Sequence, residues 1–310
     1  MKKNTICILI GIVLCISFYT FTAHTISRDS TANVPDTTEA TTPIVATPHN
    51  TNLPPIPKQI SIFGEDLPLD RPDVYEALDR EILTNTFWHT NTILVMKRAG
   101  RYFPIIEPIL KEYNVPSDFK YLAVAESNLL PNAISPSKAV GLWQLLEGTA
   151  KELGLEVDDE VDQRYDAEMS TRAACKYLLR SYRALGSWTL VAAAYNCGQA
   201  RVNKSIATQQ QQKYIDLLWN EETSRYVFRI AAIKTIMSQP TDYGFNLTQT
   251  DIYQPYTHRD TTINTEIEDI ATFAIEHQTT YKTLKILNPW LRQNKLTKSK
   301  NKEYTLRLPL

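Results

Sequence analysis

The chain has 310 residues, 43% of them hydrophobic and 22% charged, which is enough for one sizeable core and a small second domain. A net charge of −1 at pH 7 offers no basic surplus for nucleic acid or an anionic membrane surface, so no nucleic-acid partner is expected. The five histidines and four cysteines show no zinc-ligand spacing, and neither a metal nor another cofactor is expected.

Lys2 and Lys3 precede an apolar run at residues 6–21, after which Thr, Ser and Asp take over. A positive start, a short apolar core and a polar exit match an export signal over residues 1–23. An uncleaved anchor is the alternative, although a spanning helix needs about 20 apolar residues. Acylation at Cys15 would want a small residue before it, and Leu14 stands there. The chain is therefore expected in the cell envelope, exported to the periplasm, with the N-terminus as a candidate membrane tether. Residues 24–69 are rich in Thr, Pro, Ala and Asn, a composition that cannot bury enough apolar surface to offset chain entropy. A disordered linker is expected there.

Helical signals dominate residues 70–240. Residues 73–98 place Val74, Leu78, Ile82, Leu83, Ile93 and Leu94 at helical spacing, with a looser stretch at 84–92. A short helix is expected over 105–113, broken by Asn114-Val115-Pro116, with Ser117 as N-cap of the next. That segment runs to Glu126. Further helices are expected over 149–153, ended by Gly154, over 170–185, ended by Gly186, over 188–195, capped by Ser187, and over 222–238. Beyond residue 239 the texture changes. Residues 260–264 read as a strand, 266–277 and 281–287 as helices, and 304–308 as an alternating strand, which together make a β-α-α-β unit within residues 255–310. The fold class is mainly α with this small appended module. Cys175 and Cys197, outside the N-terminal run, are read as buried thiols or as a pair.

Glu126 closes an apolar helical stretch, and residues 127–146 after it contain no Asp or Glu. A carboxyl at the end of a buried helix loses hydration, so its pKa rises and it can remain protonated near neutrality, as a general acid requires. Glycosidases that use water need a second carboxylate nearby, and the local sequence offers none. The alternative is a solvated helix-end acid, as most Glu residues are. Gln144, beside Trp143, supplies a neutral amide suited to sugar hydroxyls and acetamido groups. Tyr195 and Asn196 either line a cleft or end a packed helix in an Asn-x-Gly turn, and Tyr226 faces the same choice.

The order Glu126-Ser127, Ser135, Gly141-Leu142-Trp143-Gln144, Ala194-Tyr195-Asn196-Cys197-Gly198 and Glu222-Thr223-Ser224-Arg225-Tyr226 resembles the soluble-lytic-transglycosylase domain family over residues 103–237. The resemblance implies a lysozyme-like α fold acting on peptidoglycan glycan strands. It implies cleavage of the β-1,4 bond between N-acetylmuramic acid and N-acetylglucosamine, leaving a 1,6-anhydromuramic end. It makes Glu126 the catalytic acid/base, with the sugar's own 6-hydroxyl as nucleophile, so one acid suffices. Ser127 and Ser135 match positions that support the acid or the muramyl group, Gln144 a cleft residue, Tyr195 and Asn196 the pair beside the acid, and Tyr226 the tyrosine of the closing helix. Goose-type lysozymes share the fold but carry an additional acid in the loop after the catalytic Glu. Lys138 departs from the family pattern, where many members have Gly. The C-terminal unit resembles a divergent LysM module, with Asn264-Thr265-Glu266-Ile267 where Gly-Asp-Thr-Leu is usual. Two other functions stay open at this point: a non-catalytic peptidoglycan-binding protein, and a muramidase that uses water.

Overall fold

The structure is a computed structural model and describes residues 52–297 and 302–310; the export signal expected at residues 1–23 and most of the expected linker lie outside the described residues. No helix among the described residues is long and apolar enough to cross a membrane.

The segment expected as linker to residue 69 gives way to structure before that point. β1 (Ile60–Ile62) and β2 (Glu65–Leu67) form an antiparallel hairpin, paired Ile60 to Leu67 and Ile62 to Glu65. Its turn residues Phe63 (φ 58°) and Gly64 (φ 84°) both lie in the left-handed region, as a two-residue turn matched to strand twist requires. Ile62, Phe63 and Leu67 are buried in the main core, and Phe63 stacks on Phe119 at 4.2 Å.

Helix α1 (Pro72–Phe87) starts with proline, whose missing N–H lies where no intrahelical bond would form. It ends at Trp88, and α2 (His89–Glu112) follows at once. The break expected between residues 98 and 105 is therefore misplaced. Side chains compete with the backbone in the loose stretch instead: Asn85 Nδ2 donates to Glu81 O at 2.7 Å and Thr92 Oγ1 to Asn85 O at 2.5 Å. Pro104 and Pro108, each of which removes an N–H from the helix, stay inside α2.

Helix α3 (Phe119–Ser127) packs on α2 and α8. Ser117, expected as its N-cap, stands one residue outside, and Asp118 holds that position without capping through its side chain. Its carboxylate accepts from Phe63 N and from Lys234 Nζ, both at 2.8 Å, and so ties the hairpin to α3 and α8. After a short α4 (Glu147–Glu152), α5 (Ala167–Leu185) starts on the Asp166 cap and ends at Gly186, φ 69°. Ser187 caps α6 (Trp188–Cys197) as expected, accepting from Leu190 N. The Glu65 carboxylate adds bonds to Trp188 N at 2.5 Å and Thr189 Oγ1 at 2.6 Å, an anion at the positive end of a helix. Residues 189–194 of α6 are all buried, which makes it an interior helix packed on α5, α7 and α8. The polar α7 (Gln199–Gln209) was not anticipated. Helix α8 (Glu221–Ser238), capped by Asn220, closes the body against α1, α3 and α6.

The C-terminal unit forms in the expected order: β3 (His258–Ile263), α9 (Ile270–Glu276), α10 (Tyr281–Leu287) and β4 (Tyr304–Pro309), with β3 and β4 antiparallel from His258–Pro309 to Ile263–Tyr304. The first helix begins four residues later than expected because Asp269 caps it, while Ile267 is drawn into a bridge with Leu296. Val161, from the loop before α5, is buried in this module's own core and bridges to Leu291. Asp162 N donates to Trp290 O, Arg292 N to Glu160 O, and Arg307 Nη1 to Asp166 Oδ2, which fastens module to body. Cys175 and Cys197 are free thiols.

Candidate active site

Helix α3 is apolar around most of its circumference, with Phe119, Leu122, Ala123 and Val124 buried. Glu126 sits in its last turn, beside the point where the chain leaves the helix through Asn128 (φ 51°) and Leu129 (φ 55°). Its side chain is half-buried. Loss of hydration raises its pKa from 4.5 to about 7, against the lowering influence of Tyr226 and of the positive charge of Arg229. Glu222 is the acid whose charge also pushes Glu126 upward, and its own carboxylate is held by Arg229 at 3.1 Å. Tyr226, buried on α8, donates its hydroxyl to Glu126 Oε1. That bond leaves Oε2 to carry a transferable proton. Burial, and then the negative charge of Glu126, hold the Tyr226 hydroxyl well above the ordinary tyrosine pKa, so it remains a donor.

The acid-free loop is held on three sides. Ser127 Oγ, buried, donates to Leu142 O at 2.9 Å and Ala123 O at 3.1 Å. Its hydroxyl thus ties the end of α3 to the loop that follows the acid. Gly141 has φ 82°, and a Cβ there would lie 2.1 Å from Arg164 O, so only glycine fits. Arg164, paired with Asp162 at 2.7 Å, donates to the carbonyls of Lys138 and Leu145 from below. Ser135 Oγ accepts from Ala139 N at 3.0 Å and lies 2.9 Å from Ser137 Oγ, in a half-exposed turn. Lys138, in the same turn, has φ 63°, the backbone state that glycine adopts without strain. The sequence departure at this position is therefore a substitution at a left-handed residue, and its side chain is exposed. Gln144, also left-handed at φ 47°, donates its amide to Gly141 O at 2.9 Å and Ala133 O at 3.2 Å. Both bonds use Nε2, which leaves the Oε1 carbonyl of this half-buried side chain as an acceptor.

Tyr195 comes near the acid without bonding to it, and Asn196 follows it on α6. Tyr195 Oη donates to Trp143 O at 2.5 Å, and its ring meets Tyr177 edge-on at 5.2 Å. Burial and then the charge of Glu126 raise its pKa well above the ordinary value, which places the ring within the carboxyl's field. Of the two tyrosines, Tyr226 bonds Glu126 and Tyr195 bonds the loop carbonyl of Trp143. Asn196 Oδ1 accepts from Thr223 Oγ1 at 2.9 Å, joining α6 to α8 one turn before Tyr226. Sequence reasoning did not single out Thr223 and Arg229. Their spacing of three on either side of Tyr226 is the signal that puts all three on one face of α8.

The arrangement is a carboxyl that exchanges its proton near neutrality, one phenol donor, a fixed amide carbonyl and walls of packed backbone. It can give a proton and take one back. Among the described residues no group of His, Cys, Asp and Glu could hold a metal ion.

The Transglycosylase SLT domain family matches residues 103–218, and the soluble lytic transglycosylase C-terminal LysM-like domain family matches residues 259–310. Membrane-bound lytic murein transglycosylase D of Escherichia coli K12 is 30% identical over 199 residues, 62% of this chain and 43% of that protein. A putative tributyltin chloride resistance protein of Alteromonas is 32% identical over 132 residues, 42% of this chain and 61% of the relative. The chain thus spans less than half the length of the first of these and under two thirds of the second. Among solved structures, an inactive mutant of the lytic transglycosylase Slt from Pseudomonas aeruginosa superposes with a TM-score of 0.38 at 21% identity, over 49% of this chain and 26% of that one.

Proposed function

For a chain that carries an SLT transglycosylase domain and a LysM-like C-terminal domain, and is homologous to membrane-bound lytic murein transglycosylase D, we propose the activity of a peptidoglycan lytic transglycosylase with Glu126 as its single acid/base. In this reading the catalytic domain spans residues 70–240 and the LysM-like module 255–310. The single supporting observation is the setting of Glu126: a carboxyl lifted to about 7 by burial, with a phenol on one oxygen and, among the described residues, Glu222 as the acid that pushes it upward, itself paired with Arg229.

In this reading Glu126 Oε2 protonates the glycosidic oxygen between N-acetylmuramic acid and N-acetylglucosamine, and the C1–O bond breaks. The resulting carboxylate, stabilised by Tyr226 and the nearby charge of Arg229, takes the proton of the muramyl 6-hydroxyl as O6 bonds to C1. The acid is thereby restored and the product carries a 1,6-anhydro ring. A pKa near the working pH favours both halves of this exchange. Gln144 Oε1 is assigned to a substrate hydroxyl or amide N–H, and Tyr195 to shaping the wall through Trp143.

A water-using muramidase would need a base for the water. Glu222, the neighbouring acid, is exposed and bound to Arg229, which argues against that role. Digestion of purified sacculi with wild type and with Glu126→Gln, followed by mass spectrometry of the muropeptides, tests the proposal. Anhydro ends made only by the wild type support it. Reducing ends would make the enzyme a hydrolase, and no release at all a binding protein.

A further inference from the structure

A groove of about 740 Å³, whose lining does not include Glu126, runs between the helical body and the C-terminal module. Its size falls within the range of about 300–1,000 Å³ typical of ligand sites. One wall comes from α2 and residues 129–132, the other from α10 and the segment around Arg292, and residues 253–258 lie along it. That last segment is docked on α2 by Tyr253 N to Lys97 O, and Gly100 provides the room: a Cβ there would lie 1.9 Å from Ile252 Cγ2.

Besides Arg307, five cations line this groove: Arg98, Arg101, Lys282, Lys285 and Arg292. Each of the ion pairs found among the described residues is made by other side chains, so none of these five is neutralised by an acid. Arg98 and Arg101 instead donate to the carbonyls of Asn128 and Gln254, and Lys285 to those of Leu291 and Gln293. Burial, and then the positive charge of Arg292, pull Lys285 down to about 8. The groove's two acids, Asp166 and Glu168, are both paired with Arg307. Tyrosines hold the guanidinium planes. Arg101 lies 4.2 Å over Tyr256, and Arg292 lies 3.8 Å over Tyr165. A cation fixed on an aromatic face presents its remaining N–H groups in a set direction and matches a carboxylate in a planar fork. In a chain of net charge −1, such a local surplus calls for an anionic ligand.

We propose that this groove binds an acidic peptide through its carboxylates. Spaced carboxylates suit the alternation of cations with tyrosines along the groove. The identification of that peptide with the stem peptides of the glycan strand rests on the function proposed above, and the groove would then hold the strand's peptides while Glu126 works on its sugars.

The probe is a fluorescently labelled, sugar-free stem peptide cut from purified peptidoglycan, titrated into the full chain and followed by anisotropy. Wild type and Glu126→Gln are expected to bind equally. Amidating the peptide's carboxylates, or introducing Lys282→Glu, is expected to weaken binding at least tenfold, and Lys282→Glu with Arg292→Gln still more. Lys282 and Arg292 are exposed, so melting points should be retained. Equal binding of the amidated peptide, displacement by inorganic phosphate at the same concentration, or no binding of the free peptide would each overturn the proposal. Sacculus digestion run in parallel separates the two claims. Anhydro products without peptide binding sink the groove alone, and peptide binding without such products sinks the catalytic reading alone.

Discussion

Replacing Glu126 by glutamine should make the protein more stable at pH 8 and leave it almost unchanged at pH 4. The carboxyl has a pKa of about 7 in the folded chain against the ordinary 4.5, because burial disfavours its charged form. Between those values the folded state keeps a proton that the unfolded state has lost. Folding stability therefore falls as pH rises from 4.5 to 7, and the full deficit remains above 7. A shift of about 2.5 units at 1.36 kcal/mol each gives about 3.4 kcal/mol; partial exposure of the side chain reduces this to roughly 2 kcal/mol. Glutamine has the shape of the protonated acid, still accepts from Tyr226 and does not ionise. For a domain of this size roughly 2 kcal/mol corresponds to roughly 4–8 °C in Tm. Thermal melts of both proteins at pH 4 and pH 8 measure it. Equal melting points at pH 8, or the same gap at both pH values, would return Glu126 to an ordinary solvated acid and remove the basis for its role.

Tyr226→Phe removes the hydrogen bond that favours the carboxylate, so the alkaline limb of kcat/KM against pH should move up by about 1–2 units, from a bond worth about 1.5–3 kcal/mol; an unmoved limb would mean that the bond does not bear on the titrating group. Tyr195→Phe should lower stability by about 1 kcal/mol through the lost bond to Trp143 O, while that same limb stays in place. A shift like that of Tyr226→Phe would make Tyr195 a partner of the acid. Gly141→Ala forces a Cβ against Arg164 O and should cost more than about 1 kcal/mol, read as a fall in the denaturant midpoint; an unchanged midpoint would show that the loop is not tightly held there.

Local signals carried much of this molecule. The Ser187 cap, the Gly186 stop and the apolar stretch ending in Glu126 depend on neighbouring residues and formed where expected, and the β-α-α-β unit formed in the expected order with its first helix starting later. The hairpin at residues 60–67 escaped because its three-residue strands are too short to show an alternation and follow a Thr/Pro-rich run. Its stability comes from distant partners: Phe119, Lys234 and the start of α6. Helix α2 was expected in two pieces, the end of 73–98 and 105–113, while packing on α5 and the docked 249–253 segment keep it whole. In the site, the burial of the Glu126 carboxyl was legible from the apolar stretch that it closes, but the choice between two tyrosines was not. Tyr195 and Tyr226 both belong to helices far along the chain, and only the packing of α8 on α3 decides which hydroxyl reaches Glu126. Ser127 looked like a neighbour of the acid by position, yet a helix turns its side chain about 100° from the preceding one and into the buried loop.

The central claim, one acid with the sugar's own hydroxyl as nucleophile, is tested most directly by digesting sacculi in water enriched in oxygen-18. Intramolecular ring closure predicts 1,6-anhydromuramic ends with no label at C1, formed by wild type and absent with Glu126→Gln. Reducing muramic ends carrying oxygen-18 would mean that water attacks, that a second base is at work, and that the single-acid account is wrong.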